Sequence, residues 1–353
     1  MFNLKFLKKP PAIFGLDIGS SAVKVVQLTE TEGVRSLSAL GVVPLPLDVI
    51  SDGAIKDTVT VTGAIKEAVA QAGLATATDA VISICGRELI IKKIQMPAVP
   101  PRELHDAVLL EAEHHIPFGV DEVYIDYHTL AAQEGNLDLI LVAVKKSKVQ
   151  EYVAVVEEAG LNPIIVDVDS FALGNQFELN VPEEGEEAVA LINIGASVMK
   201  TNVVRGGATI FARDIPFGGN QYTQAIGQRL SLPFEEAEQL KLGTHARLDR
   251  KSVVPIVDDV SHELSLEVQR TFDYFASTAE GERIGKIVLA GGCAHMPGLN
   301  DYLSSNWGIP VEVARPFDHI MVQEPYADAV ATGGPGLAVA VGLGLRRPGD
   351  ERT

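Results

Sequence analysis

Apolar and polar positions divide the chain into short β-type and helix-type stretches that come in a recurring order. Residues 15–18 run apolar up to Asp17, and Gly19-Ser20-Ser21 interrupts. Val23-Lys24-Val25-Val26-Gln27-Leu28 then returns, rich in the β-branched residues that suit a strand. The pattern predicts a hairpin. Residues 33–40 supply a third strand before Pro44-Leu45-Pro46 breaks it, and residues 62–74 switch to helical spacing. There Thr62 can cap, Ile65, Ala68, Val69 and Ala72 share a face, and Gly73 ends the helix. A continuous apolar run over 80–85 predicts a buried strand.

Residues 84–160 are patterned differently. An alternating strand over 88–96 and a helix over 102–116, stopped by Pro117, lead into two strands over 123–131 and 137–144, joined by Glu134-Gly135-Asn136. A helix over 147–159, capped by Ser147 with Val149, Tyr152, Val153 and Val156 inward, closes a small α+β unit inserted into the first lobe. A strand over 163–169 then ends in Asp167 and Asp169, with a helix from Ser170. The acidic residues 182–187 read as a solvated loop between lobes. Beyond it, residues 191–204 repeat the hairpin pattern, 208–215 adds a strand, and helices are expected over 218–230, 233–242 and 261–277. A strand over 287–290 ends in Gly291-Gly292, and a small-residue helix over 332–345 closes the chain.

At 353 residues the chain is long enough for two lobes, and its 46% apolar and 22% charged residues belong to a soluble globular class. A formal charge of −18 excludes nucleic-acid binding through a general basic surface. Two cysteines, Cys85 and Cys293, leave no disulfide framework and fit a reducing compartment. No run reaches the length of a membrane-spanning helix, and the basic residues 1–11 read as a lead-in to the first strand or a segment touching a membrane surface. His114 and His115 are adjacent on a helix and point apart, which disfavours a metal pair.

The two hairpins change the picture, because Ile18, Gly19, Ser21 and Lys24 recur at one common offset as Ile194, Gly195, Ser197 and Lys200. Asn193 stands where the first copy has Asp17. Tight glycine turns bare backbone N–H groups that suit phosphate, and a carboxylate beside them can hold magnesium through water. Two such turns half a chain apart predict two similar halves facing across a cleft.

Two phosphate-type hairpins, an acidic strand end between them, a strand with a Gly-Gly turn after them and a small-residue last helix come in the order of actin-like nucleotide-binding proteins. Within that superfamily, Met96-Pro97 through Glu103-Leu104, Glu111-Ala112-Glu113 and Ile116-Pro117-Phe118 to Asp126 resemble the PilM family of type IV pilus assembly proteins. The resemblance implies an α/β, actin-like two-lobe fold, a duplicated ribonuclease H-like core with a small α+β subdomain inserted in the first lobe. Residues 1–83, completed by 161–180 and 333–353, would form the first lobe, and 84–160 the insert that binds a partner peptide. Residues 181–216 and 285–332 would form the second lobe, with 217–284 its helical subdomain.

The resemblance further implies a cytoplasmic protein that binds ATP and magnesium between its lobes. It would sit on the inner face of the inner membrane by holding the N-terminal tail of PilN, beside other platform proteins, the pilus motor ATPases and copies of itself. Asp17, Gly19, Ser20, Ser21 and Lys24 would meet phosphates and metal from one side, and Asn193, Gly195, Ala196 and Ser197 from the other, with Asp17 and Asn193 acting on magnesium through water. Asp167 is expected to orient the attacking water or to cap the following helix, with Asp169 a second candidate. Glu238 and Lys241 would flank the adenosine, and Gly291, Gly292 and Met296 would line the base. Asn193 brings no negative charge, which predicts weaker magnesium binding and slow or no hydrolysis. The alternatives are an actin-like ATPase or kinase with true turnover, and an FtsA-like membrane-tethered filament. Against the last, residues 346–353 are too short and polar for an amphipathic anchor.

Overall fold

The computed structural model describes residues 13–74, 78–133, 135–181, 187–244, 250–279 and 281–350. The basic residues 1–11 and most of the acidic loop after Val181 lie outside them. The first lobe opens with β1 (Phe14–Ile18), β2 (Ala22–Thr31) and β3 (Val34–Pro44), then the short pair β4 (Ile50–Ser51) and β5 (Ala54–Ile55). Helix α1 (Thr58–Gln71) and strand β6 (Asp79–Ile84) follow. The inserted segment holds β7 (Leu89–Pro97), α2 (Pro101–Ala112), β8 (Val123–Gln133) and β9 (Asn136–Lys145). Helix α3 (Lys146–Glu158), strand β10 (Asn162–Val168) and helix α4 (Asp169–Asn180) complete the half.

The second half repeats the order. It runs β11 (Ala188–Ile194), β12 (Met199–Arg205), β13 (Ala208–Ile215), α5 (Gly219–Leu230), α6 (Phe234–Lys241) and α7 (Val254–Thr278). Then come β14 (Ile284–Ala290), α8 (Leu299–Trp307), β15 (Val311–Val313), α9 (Glu324–Gly333) and α10 (Ala338–Leu345). The two five-stranded sheets are ordered β10-β6-β1-β2-β3 and β13-β12-β11-β14-β15. In each, a three-strand antiparallel meander is extended by two parallel strands. Parallel neighbours need crossover helices, and α1, α3, α7 and α8 are those crossovers.

That requirement corrects three expected boundaries. Residues 84–160 are not one inserted unit: α3 connects β6 to β10, and Tyr152, Val155 and Val156 pack with Ile65 and Ala68 in the first-lobe core. The insert keeps its own sheet, β7-β9-β8, closed by α2 over Ile94, Val108, Leu139 and Leu141. Residues 217–284 are not a separate subdomain either, since Leu264 and Val268 of α7 share one core with Ile192 and Leu289. Finally, α4 is not confined to the first lobe: Leu173 and Phe177 pack on Val189, Leu191 and Val204 of the second sheet while Ala172 packs with Val81 of the first, and α10 packs Ala340 and Val341 against Val26 and Leu28 of the first sheet. The helices cross where a side chain on Gly342 would overlap the backbone of Ala172.

Smaller corrections concern helix ends. Asp57, not Thr62, caps α1, its Oδ1 accepting from Thr60 N at 3.0 Å. Helix α3 starts at Lys146 without a side-chain cap, so Ser147 has no such role. The last helix begins earlier than residue 332, as α9, a 3-10 turn and α10 run together over Glu324–Leu345. These 22 residues are long and apolar enough to cross a membrane by composition, but α10 is buried between the first sheet and α4.

Candidate nucleotide site

The two hairpin turns are built alike. Gly19 N donates to Ala22 O at 3.1 Å and Gly195 N to Val198 O at 3.2 Å, closing each turn in the same way. The turns face one another across the lobes, and Ser20 Oγ and Ser197 Oγ share a hydrogen bond of 2.6 Å. Around them opens a cleft of about 340 Å³ lined by Asp17, Ser20, Lys24, Asn193, Gly195 and Lys200. Deeper in the second lobe, Gly219, Glu238, Lys241, Gly291 and Gly292 continue the wall. Gly291 has φ +87°, and any side chain there would overlap Asn193 Oδ1 and Ile194 O, so glycine is required where β14 meets the second turn.

Charges are arranged differently in the two halves. In lobe one, Lys24 lies directly opposite Asp17 and Val42, and its Nζ pairs with Asp17 Oδ2 at 2.9 Å. In lobe two, Lys200 lies directly opposite Asn193 and Asp214, and its Nζ reaches Asp169 Oδ2 at 2.9 Å at the start of α4. Burial disfavours charge on both partners of that pair, yet mutual attraction outweighs it, holding Asp169 below the ordinary carboxylate range and Lys200 above the ordinary ammonium range. Asp214 is pushed up to about 6 by burial, against the pull of Gly86 N–H and Lys200. Its Oδ2 accepts from Gly86 N at 2.7 Å.

In the second-lobe wall, Lys241 Nζ pairs with Glu238 Oε2 at 2.6 Å, and Thr223 Oγ1 donates to the same carboxylate. Glu238 and Lys241 both line the cleft.

Two expected site residues fall elsewhere. Asp167 points away from the cleft: its Oδ2 pairs with Arg346 Nε at 3.2 Å beyond the end of α10, and burial raises its pKa. Strand alternation alone would put Asp169 on the same face as Asp167, but β10 ends at Val168 and Asp169 opens α4, where the change from strand to helix aims its carboxylate at a cleft-lining residue, Lys200. Met296 is buried in the second-lobe core, 2% exposed, and is not part of the cleft wall. Sequence reasoning also missed Lys200, Gly219, Asn220 and Phe234 as cleft lining. The recurrence of Lys24 as Lys200 and the Gly218-Gly219 pair before α5 were the available signals. Cys293 lines the cleft too, but burial raises its thiol pKa and it packs in the second-lobe core.

The fold is shared with known proteins. A cell division protein FtsA from Pseudomonas aeruginosa is 25% identical over 387 residues, covering 96% of this chain and 90% of its own length. The nucleotide-bound MreB5 of Spiroplasma citri superposes with a TM-score of 0.53 at 11% identity over 95% of each chain, which shows the actin-like fold. A solved structure of a PilM-PilN type IV pilus biogenesis complex superposes with a TM-score of 0.84 at 27% identity, covering 95% of this chain and 98% of that one. The family model for type IV pilus assembly protein PilM matches residues 15–348. With the match running from the first turn to past α10, the chain belongs to the PilM family of type IV pilus assembly proteins.

Proposed function

We propose that this chain is an ATP-binding assembly protein of the type IV pilus inner-membrane platform that holds the cytoplasmic N-terminal tail of a PilN partner. Its work is binding, with nucleotide setting lobe closure and hydrolysis slow or absent. The observation that carries the nucleotide reading is the pair of glycine turns meeting through Ser20 and Ser197 over a cleft with cations on both sides. The partner reading rests on similarity to the PilM-PilN complex over nearly the whole chain. The insert's β7-β9-β8 sheet has two edge strands, and an extended tail could add to one of them. In this role the chain is cytoplasmic, peripheral to the inner membrane through its partner, and in contact with other platform proteins, motor ATPases and its own copies.

The residues fit a polyphosphate. Gly19 and Gly195 use their N–H groups to close the turns, leaving Ser20 and Ser21 from one turn and Ala196 and Ser197 from the other to present backbone and hydroxyl donors, with Lys24 and Lys200 behind them. Magnesium, when bound, would shield the phosphates. Asp17 is the one hairpin carboxylate able to act on its waters, while Asn193 contributes only an amide. Among the described residues no three His, Cys, Asp or Glu side chains gather to hold a metal. Asp169, locked to Lys200, is a poor water-orienting group, which supports slow turnover.

Calorimetry of ATP with the full chain tests the clamp: Gly195→Trp should abolish binding, and unchanged affinity overturns it. Co-purification of the tagged chain from a membrane extract should bring down a single-span protein with a short cytoplasmic tail, and its absence overturns the partner reading. Turnover comparable to a metabolic kinase would overturn the binding role.

A further inference from the structure

The matching rows of the two meanders differ at two strand positions, and one of the differences has a large structural reach. The row of residues directly opposite one another across the meander is Asp17, Lys24, Val42 in lobe one and Asn193, Lys200, Asp214 in lobe two. The second row carries its carboxylate one strand further out, on β13. From there Asp214 crosses to the other lobe and accepts the Gly86 N–H at 2.7 Å. Gly86 lies between the end of β6 and the start of β7, at the root of the insert, and has φ +105°. Its amide is therefore held in a turn by a side chain belonging to the opposite lobe.

Lys200 connects this contact to the cleft. It lines the cleft beneath the second turn, pairs with Asp169 at the start of α4, and lies opposite Asp214. The same cluster encloses Cys85, whose neighbours include Lys200, Asp169 and Asp214. Whatever anion draws the Lys200 ammonium toward the turns changes the charge that Asp214 and Asp169 feel. Both carboxylates touch strand ends of lobe one: Asp214 after β6, Asp169 after β10.

We propose that Asp214 is the positioning residue that couples the cleft to the insert, holding Gly86 in one orientation while Lys200 stays with the carboxylates and loosening it when phosphate competes for Lys200. The proposal rests on the nucleotide reading above and names the residues through which occupancy would reach the partner-binding unit. By linkage, a partner seated on the insert would alter nucleotide affinity by the same factor.

Amide hydrogen exchange reads the contact directly, because the proton in question is the one Asp214 holds. In the full chain, a non-hydrolysable ATP analogue should change exchange over residues 86–89, with binding verified independently by calorimetry. Asp214→Ala should speed Gly86 exchange by about tenfold or more and abolish its response to nucleotide. Asp214→Asn, which keeps an acceptor and the fold, should retain protection but lose the response. Nucleotide bound with no change over 86–89, or an unaltered response in either variant, overturns the proposal while leaving the clamp intact. No nucleotide binding in the unmodified chain overturns both readings.

Discussion

Lobe one keeps its turn charge to itself, and lobe two shares its charge with the rest of the molecule. In the first hairpin Asp17 and Lys24 neutralise one another. In the second the acid is missing from the turn, and Lys200 is answered by Asp169 from the connecting helix and faced by Asp214 on the edge strand. The same backbone motif is thus self-contained in one half and tied to two further elements, α4 and β13, in the other. Duplication set the geometry of both turns, and the surroundings set what each cation does.

Charge removal breaks this comparison most sharply. Lys200→Met leaves Asp169 buried without its partner and should cost about 3–5 kcal/mol in urea unfolding. Lys24→Met removes one partly solvated pair and should cost about 1–2 kcal/mol. Equal losses would mean the lobes are not asymmetric. Glycines come next. Gly291→Ala forces overlap with Asn193 and Ile194 at positive φ and should destabilise by about 3 kcal/mol. Gly19→Ala, whose Cβ would stand 3.2 Å from Ala22 O, should cost under about 1 kcal/mol in the same assay.

The finest test is pH. Asp214 has a folded pKa raised to about 6 from 3.8, so its contribution to stability is fully present below pH 4 and lost as pH rises through 6. Asp169 runs the other way, its lowered pKa giving stability that is lost on acidification below the ordinary carboxylate value. Asp214→Asn should therefore raise the melting temperature relative to the unmodified chain more at pH 7 than at pH 4.5. A pH-independent difference would show that Asp214 titrates normally.

The hairpins were legible because their pattern is local and repeated: a period of two, a glycine turn, and the same residues at one offset. The insert was legible up to β9 for the same reason. What the sequence could not show is which body a helix joins. Helix α3 has an ordinary amphipathic face, and only the need for a crossover between β6 and β10 puts it in the lobe core. Asp167 and Asp169 look equivalent on paper, yet Asp167 is still in β10 and pairs with Arg346, while Asp169 is the first residue of α4 and turns to Lys200. Asp214 carried no signal at all, since its importance lies in facing Gly86 from the opposite lobe.

The crossing of α4 and α10 has a mechanical consequence. Both helices lie between the sheets and touch each of them, and they meet backbone to backbone where Gly342 has no side chain to hold them apart. Any rotation of one lobe on the other that preserves this contact must use it as a pivot. The hairpin turns then lie out along a lever arm, and a slight roll at the axle becomes a larger opening at Ser20 and Ser197.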